Sequence, residues 1–228
     1  MDVSAIMPGH PNLKAWFMFN PDTEIVSGTT GTPTSITYEA GPFGQSAVMD
    51  ATSDKIDWGY LSALNVERTQ PWTILQWIKR DSNTQEGEAL SQNGDSTHGW
   101  GQGWGVGGNS LRLANFNAAQ ALRKYWGSAV GPDSAYRHVV YTYDGSSLSA
   151  GAKLYMDGVD QGAGTALSNN LSGSIITTGA PSRTGYANYF NYAMIGKINV
   201  QMFFDYLMPI EDQVSVGLGF DSMSRSQL

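Results

Sequence analysis

Short runs of alternating apolar and polar residues, separated by Gly, Asn, Asp and Ser, follow one another along this chain. Successive side chains of a β-strand point to opposite faces of a sheet, so alternation with a period of two indicates strands with one buried face. Short strands at close spacing are typical of sandwiches and jelly rolls. The pattern therefore predicts an all-β protein. The predicted strands are Leu13–Phe19, Ser35–Tyr38, Ser46–Met49, Lys55–Trp58, Trp72–Lys79, Glu88–Gln92, Gly103–Val106, Ser110–Phe116, Arg123–Trp126, Arg137–Tyr143, Ala152–Met156, Ser174–Thr177 and Ala193–Phe204.

Two local features refine this prediction. The dipeptide Asp157-Gly158 follows a predicted strand and favours a tight hairpin, because Gly accepts positive φ and Asp can satisfy a nearby backbone N–H. The segments Leu13–Phe19 and Ile198–Phe204 are both aromatic and apolar. We therefore expect them to be neighbouring strands that close the sandwich near the two termini.

The chain is predicted to form one domain over residues 1–228. Its 41% of hydrophobic residues are enough for a continuous core, and no linker composition divides it. Gly and Ser concentrate in Asn93–Gly108 and Gly158–Gly173, and both segments are predicted as loops. Helical patterning is scarce. One short helix is predicted after Pro209, where an acidic pair suits the positive end of a helix dipole.

Charge and cysteine usage exclude several classes of function. Only 14% of residues are charged, the net charge is −7, and the 13 basic residues are scattered, so no basic stripe is present for nucleic acid. The chain has no cysteine, which excludes disulfides, thiolate metal sites and cysteine nucleophiles. No segment approaches the roughly 18 apolar residues of a membrane span, so membrane insertion is not expected. The first residues also lack the pattern of a signal peptide, and synthesis in the cytoplasm is expected.

Several segments, in this order, resemble the laminin-G-like family of concanavalin A-like jelly rolls. The segments that carry the resemblance are Gly41–Asp50, Asp54–Asp57, Trp72–Arg80, Arg137–Gly145, Lys153–Gly158 and Ile195–Phe204. The resemblance implies a jelly-roll β-sandwich of two antiparallel sheets with at most one or two short helices. It also implies a lectin-like binding protein. The chain departs from the family at Asn199, where an acidic residue is common, and in the Gly- and Trp-rich segment from Asn93 to Phe116.

No catalytic residues are predicted. Glycoside hydrolases share the fold and require two carboxylates that flank the scissile bond. The string Glu-x-Asp-x-x-Glu of the related glucanases is absent, and the close pair Glu86 and Glu88 adjoins a predicted turn. His138 lies in a predicted strand, where packing or a backbone hydrogen bond is expected. The sequence therefore predicts a non-enzymatic protein.

Aromatic residues in two segments are the candidates for ligand binding. Trp100 and Trp104 are four residues apart and would point to one face of a strand, where they either stack on sugar rings or pack in the core. Tyr186, Tyr189 and Tyr192 form a second cluster that would bind glycan or protein, with core packing as the alternative.

Calcium is the one cofactor that the resemblance implies, because laminin-G-like domains often carry such an ion. Its hard oxygen ligands are supplied by carboxylates and carbonyls. Asp50, Asp54 and Asp57 are close enough in sequence to share a site, and Asp157 and Asp160 form a second candidate pair. The alternative is that these acids stabilise turns.

The sequence predicts a structural component of a phage virion, such as a capsid decoration, tail or fibre protein. This hypothesis rests on the missing secretory signal, the missing disulfides and the missing companion domain. Its expected partners are other virion subunits or copies of itself, and its expected location is the virion. A carbohydrate-binding, lectin-like domain on an extracellular surface is the alternative, with a cell-surface glycan as partner. A glycoside hydrolase with an unfamiliar carboxylate pair is the third hypothesis.

Overall fold

A computed structural model describes residues 10–19, 22–81, 87–92, 98–105, 108–115, 118–127, 135–187 and 192–213. Short β-strands dominate these residues. They are β1 (Leu13–Met18), β2 (Thr23–Glu24), β3 (Thr29–Thr30), β4 (Thr32–Thr34), β5 (Thr37–Gly41), β6 (Gly44–Met49), β7 (Lys55–Asp57), β8 (Trp72–Arg80), β9 (Gly87–Gln92), β10 (His98–Gly105), β11 (Gly108–Asn115), β12 (Gln120–Trp126), β13 (Arg137–Tyr143), β14 (Ala152–Met156), β15 (Val159–Asp160), β16 (Thr165–Asn169), β17 (Ser182–Thr184), β18 (Tyr186–Ala187), β19 (Tyr192–Ala193) and β20 (Gly196–Phe204).

The strands form two large antiparallel sheets and one small one. The ten-stranded sheet has the order β15-β14-β13-β8-β20-β1-β2-β3, with β6 also paired to β20 and β5 paired to β6. The eight-stranded sheet has the order β16-β12-β11-β10-β9-β17-β7-β4, and β18 and β19 form a hairpin. The predicted all-β sandwich of two antiparallel sheets is therefore confirmed.

The main core lies between the two large sheets. It contains the inward-facing residues of both, among them Phe17 and Trp72 from the ten-stranded sheet and Leu113 from the eight-stranded sheet. A pair of glutamines also joins the sheets: the amides of Gln76 and Gln102 donate to each other's oxygen at 2.9 Å in both directions. Buried polar groups are stable when they are hydrogen-bonded, so this neutral pair crosses the core without leaving an unsatisfied amide.

The outer face of the ten-stranded sheet is also apolar. Leu75, Val140, Val200, Met202 and Phe204 are buried there in a second cluster. Partly buried aromatic residues from neighbouring segments pack against it, and these are Trp16, Phe43, Tyr155 and Tyr206. We call this second cluster the outer apolar face.

Most strands lie where the sequence predicts them. The bounds of β13 and β14 agree at every residue, and β1 pairs with β20 as expected. The predicted hairpin joins β14 to β15, with φ of +51° at Asp157 and +79° at Gly158. A helix begins at Ile210, after Pro209 as predicted.

One predicted strand is wrong, and several strands were missed. Residues Ser174–Thr177 form no strand, because distant side chains hold their backbone: the N–H of Thr177 donates to Asn65 Oδ1 at 2.9 Å and that of Ile175 to Glu67 at 3.3 Å. The segments Asn93–Gly108 and Gly158–Gly173 were both predicted as loops, but the first contains β10 and the second contains the edge strands β15 and β16. In β10, glycine at every second position gives a strand the composition of a loop. Edge strands have one partner only, so their sequences carry a weaker alternation.

The described residues contain no helix of the length and apolar character that crossing a membrane requires. The single domain over residues 1–228 stays a prediction.

Candidate binding site

A row of polar side chains crosses the outer face of the eight-stranded sheet. The residues that precede or follow its members in sequence, such as Ile56, Leu111 and Leu122, are buried in the main core, so the row itself faces outward. From β7 to β16, the row consists of Asp57, Arg183, Ser91, Gly101, Arg112, Arg123 and Ser168. Three arginines thus lie on one line across seven strands. We call this line the arginine row.

The centre of the arginine row is a buried ion pair. Arg112 Nη2 lies 2.6 Å from Glu88 Oε1, and the two side chains are only 7% and 10% exposed. Glu88 belongs to β9 and Arg112 to β11, so the carboxylate crosses the intervening strand β10. It crosses at Gly101, where any Cβ would collide with the Glu88 carboxylate. A glycine at position 101 of β10 is therefore required by an ion pair between the two neighbouring strands.

One end of the arginine row carries the predicted residue Tyr186. Its ring centroid lies 5.1 Å from Lys55 Nζ and 5.8 Å from Arg183 Cζ, which is the range of cation–π interactions. Arg183 also donates from Nε to Asp57 Oδ2 at 3.0 Å. The Tyr186 carbonyl accepts a hydrogen bond from Ser91 Oγ at 3.2 Å, which fixes β18 against the outer face of β9. The Tyr186 side chain is itself buried beside these two cations, which agrees with the alternative of packing, and its role in ligand binding stays a prediction.

The ends of the row are accessible, whereas its centre is not. Asp57, Arg123 and Arg183 are partly exposed, and Ser91 is fully buried. Guanidinium groups donate several hydrogen bonds in a fixed plane, and carboxylates accept them. Such ends can hold vicinal hydroxyl groups or anions. Hydrolysis needs a different arrangement, with two free carboxylates at a suitable separation.

Trp100 does not bind a ligand at a surface. Its side chain is 1% exposed, its ring stacks on Trp72 and Phe203 at centroid distances of 5.6 Å, and its Nε1 donates to the Leu64 carbonyl at 2.8 Å. This corrects the sugar-stacking hypothesis for Trp100 and supports the alternative of core packing. The reason is register: Trp100 and Gln102 share the inward face of β10.

The other predicted aromatic ligands stay predictions. The structure describes only the backbones of Trp104 in β10 and of Tyr192 in β19, and Tyr189 lies outside the described residues.

The structure does not bring Asp50, Asp54 and Asp57 together as a calcium site. Asp54 is buried, and its Oδ2 accepts the backbone N–H groups of Asp50 and Ala51 at 2.8 Å. Asp57 is paired with Arg183. Among the residues that the structure describes, no group of three or more His, Asp or Glu side chains could hold a metal ion. These residues therefore do not fit the ion that the resemblance implies.

The second calcium candidate also has other partners. Asp157 forms an ion pair with Arg137 at 3.0 Å and accepts the His138 backbone N–H at 3.0 Å. Asp160 accepts the Gly162 N–H at 2.7 Å. Both acids stabilise turns, which was the alternative.

The residues that the sequence offered for catalysis have structural roles, as far as the structure describes them. Glu88 is paired with Arg112, and Glu86 lies outside the described residues. His138 is buried beside the Trp77 ring at 5.4 Å, and this burial lowers its pKa to about 4, against the raising effect of Asp157. A neutral histidine against the outer apolar face is a packing residue.

Sequence reasoning missed Lys124. In β12 it stands between Leu122 and Trp126, so strict alternation places it on the inward face of the strand. The side chain is 5% exposed and lines a cavity of about 400 Å³ at one edge of the sandwich. The sequence did contain a signal for this residue, namely a lysine at an inward position of an alternating strand. Lysine is almost never fully buried unless it is paired, so such a position indicates a special environment.

The fold and the arginine row define a class: a two-sheet antiparallel sandwich with a polar outer face, as in lectin-like binding domains. The sequence matches the profile of the Laminin_G_3 family, described as the concanavalin A-like lectin/glucanases superfamily, over residues 50–208. The chain therefore belongs to this laminin-G-like family. No curated protein matches it in sequence.

Solved structures share the fold at low sequence identity. Domain 4 of AbnA, a GH43 extracellular arabinanase from Geobacillus stearothermophilus in complex with arabinotriose, has a TM-score of 0.64 and 17% identity, covering 90% of this chain and 98% of that one. The binding domain of Paraclostridial Mosquitocidal Protein 1 has a TM-score of 0.68 and 14% identity, covering 93% and 52%. The receptor binding domain of botulinum neurotoxin mosaic serotype C/D has a TM-score of 0.64 and 14% identity, covering 91% and 51%. This chain spans about half the length of the two toxin domains.

Proposed function

We propose that this chain is a non-enzymatic carbohydrate-binding module whose site is the arginine row. The observation that carries the proposal is the placement of three arginines, two carboxylate partners and a tyrosine on one outer face. Folding does not require this arrangement, because buried ion pairs contribute little net stability compared with apolar residues of similar size. Planar donors next to an aromatic ring are instead typical of sites that hold polar ligands.

The structural neighbours support the same function. One of them is named as a domain bound to arabinotriose, and others are named as toxin binding or receptor-binding domains. Each is a binding domain on the same fold. Identities of 14–17% carry over the fold, and the ligand for this chain is inferred from its own residues.

A glycan-array screen of the purified chain tests the proposal. We expect saturable binding to a subset of glycans, and at least a tenfold loss of affinity in Arg183→Ala or Arg123→Ala, since both residues are partly exposed at the ends of the row. Arg137→Ala is the matched control: Arg137 is also paired with an aspartate, but it belongs to the ten-stranded sheet. Silence on the array, or equal losses in all three variants, would contradict the proposal.

We also propose that the module works as a component of an assembled particle, a phage virion, where it contacts copies of itself or other subunits. The residues of the outer apolar face are themselves buried, but aromatic residues at its margin, such as Phe43 and Tyr206, are partly exposed and support this second proposal. Exposed apolar patches are typical of surfaces that another protein covers. Display on a virion would also place a glycan-binding module outside the cell.

Sedimentation velocity at rising protein concentration tests the assembly proposal. We expect reversible association of the wild-type chain and a monomer for Phe43→Lys, because Phe43 packs on Trp77 at a centroid distance of 5.1 Å at the margin of the outer apolar face. Arg123→Ala, on the opposite outer face, should associate like the wild type. A wild-type chain that stays monomeric at all concentrations would argue against self-assembly.

A further inference from the structure

A cavity at one edge of the sandwich holds a buried lysine and has no role in the arginine row. The edge strands β15 and β16 of the two large sheets, together with β12 and β14, form its walls. Its volume of about 400 Å³ is within the usual range of small-molecule sites. Its lining includes Lys124, Ser149, Lys153 and Asp160, together with Gly162 and Gly164.

Lys124, which lines this cavity, is a buried cation. Lys124 Nζ donates one hydrogen bond, to the Ala152 carbonyl at 2.6 Å, and lies 5.1 Å from the centroid of the Trp126 ring. No carboxylate of the described residues is within ion-pair distance of it. An ammonium group carries three donors, and its burial is costly unless an anion or several acceptors compensate. A ligand anion in the cavity would supply that compensation.

The other charges around the cavity favour an anion that also carries hydroxyl groups. Lys153 is exposed at the mouth and adds a second positive charge, while Asp160 adds one negative charge. The net charge of the lining is therefore positive in a chain whose total is −7. Asp160 and Ser149 supply oxygen acceptors, which suit hydroxyl hydrogens. Burial lowers the pKa of Lys124, Asp160 raises it and Lys153 lowers it further, so a bound anion would favour the charged lysine.

The walls of the cavity consist of small residues and backbone. Trp126 lies behind this wall: its Nε1 donates to the Gly162 carbonyl at 3.1 Å, and a Cβ at Gly164 would collide with its ring. The indole therefore holds the β15–β16 connection in place, and Gly164 allows this close contact because it has no Cβ. A compact ring with polar substituents fits such walls better than an extended apolar group.

We propose that this edge cavity binds a carboxylate-bearing sugar residue, with the carboxylate at Lys124 and Lys153 and the ring hydroxyls at Asp160 and Ser149. The site is separate from the arginine row, so it goes beyond the proposed function and would persist if that proposal failed. The ligand class of this cavity is an acidic monosaccharide unit, which differs from the corresponding neutral sugar by one carboxylate.

Saturation-transfer NMR titrations with two methyl glycosides test the proposal on the full chain. Methyl galacturonoside and methyl galactoside differ only in the group at C6, a carboxylate or a hydroxymethyl. We expect saturable binding of the acid and at least tenfold weaker binding of the neutral sugar. Acetate, added as a free anion, should compete only at much higher concentration, because it cannot use Asp160 and Ser149.

Variants assign the binding to this cavity. Lys124→Met keeps a chain of similar length without the charge, and we expect at least a tenfold loss of affinity for the acid. Lys153→Met, at the exposed mouth, should cause a smaller loss and leaves folding untouched, which keeps the test valid if Lys124→Met misfolds. Lys14→Met, on β1 of the ten-stranded sheet and away from the cavity, should bind like the wild type.

Four results would overturn the proposal: no binding of the acid, equal binding of both sugars, equal affinity for acetate, or unchanged binding in both Lys124→Met and Lys153→Met. Loss of glycan-array binding in Arg183→Ala with retained galacturonoside binding would separate this cavity from the arginine row.

Discussion

The outer faces of the two large sheets differ in chemistry although the same alternation produces both. On the ten-stranded sheet, the outward positions are Leu75, Val140 and Phe204, which are buried in an apolar cluster. On the eight-stranded sheet, the outward positions include Arg112 and Arg183, each in an ion pair with a carboxylate. One outer face is a second core, and the other is a polar surface.

The difference shows how stability and binding are divided in this sandwich. Apolar surface removed from water contributes roughly 25 cal/mol per Å², so the outer apolar face adds to stability in the same way as the main core. Buried ion pairs add little net stability and are strongly destabilising when one partner is lost. We therefore expect the first face to govern folding and the partly exposed ends of the arginine row to govern binding.

The largest effect is expected from a truncation on the outer apolar face. Phe204 is fully buried there, and Phe204→Ala should lower the free energy of unfolding by about 3–5 kcal/mol, because a buried ring is replaced by a cavity. Arg123→Ala replaces a partly exposed residue on the other outer face and should change the free energy of unfolding by less than about 0.5 kcal/mol. Urea unfolding of both variants measures this difference. Similar losses of unfolding free energy in the two variants would contradict the division between the two faces.

A smaller loss is expected from breaking the ion pair at the centre of the arginine row. Glu88→Ala leaves the Arg112 guanidinium buried without its carboxylate and should cost about 3 kcal/mol. The double variant Glu88→Leu with Arg112→Met should recover most of that loss, since neither residue is then charged. Denaturant unfolding checks both expectations. A Glu88→Ala protein as stable as the wild type would show that the pair is not buried in solution.

The smallest effect is the pH dependence of stability that His138 contributes. Burial lowers its pKa from 6.5 to about 4, so between these values the unfolded chain binds a proton that the folded chain does not. Stability from this group is complete above pH 6.5 and falls as the pH decreases, by about 2 kcal/mol between pH 7.5 and pH 5. His138→Gln should lack this component. Parallel stability–pH curves for the two proteins would contradict the assignment.

The strand pattern and one turn were predictable because their causes are local. Alternation along Arg137–Tyr143 and Ala152–Met156 gave both strands with correct bounds, and Asp157-Gly158 specified the hairpin through its own backbone preferences. Both signals depend on neighbours in sequence.

The remaining features were decided by tertiary structure. The burial of Trp100 and the loss of a strand at Ser174–Thr177 both depend on which groups face them across the fold. The sequence cannot show these partners, because they lie on other strands or more than a hundred residues away.

By itself, then, the sequence determined an all-β sandwich of the laminin-G-like family, since strand periodicity and turn residues act over a few positions. Tertiary structure alone decided that Gly101 lets Glu88 reach Arg112, and that Lys124 lines a cavity between two edge strands. The physical reason is strand order: pairing brings β9 and β11 to either side of β10, and β15 to one edge of the sandwich with β16, through contacts that no local pattern encodes.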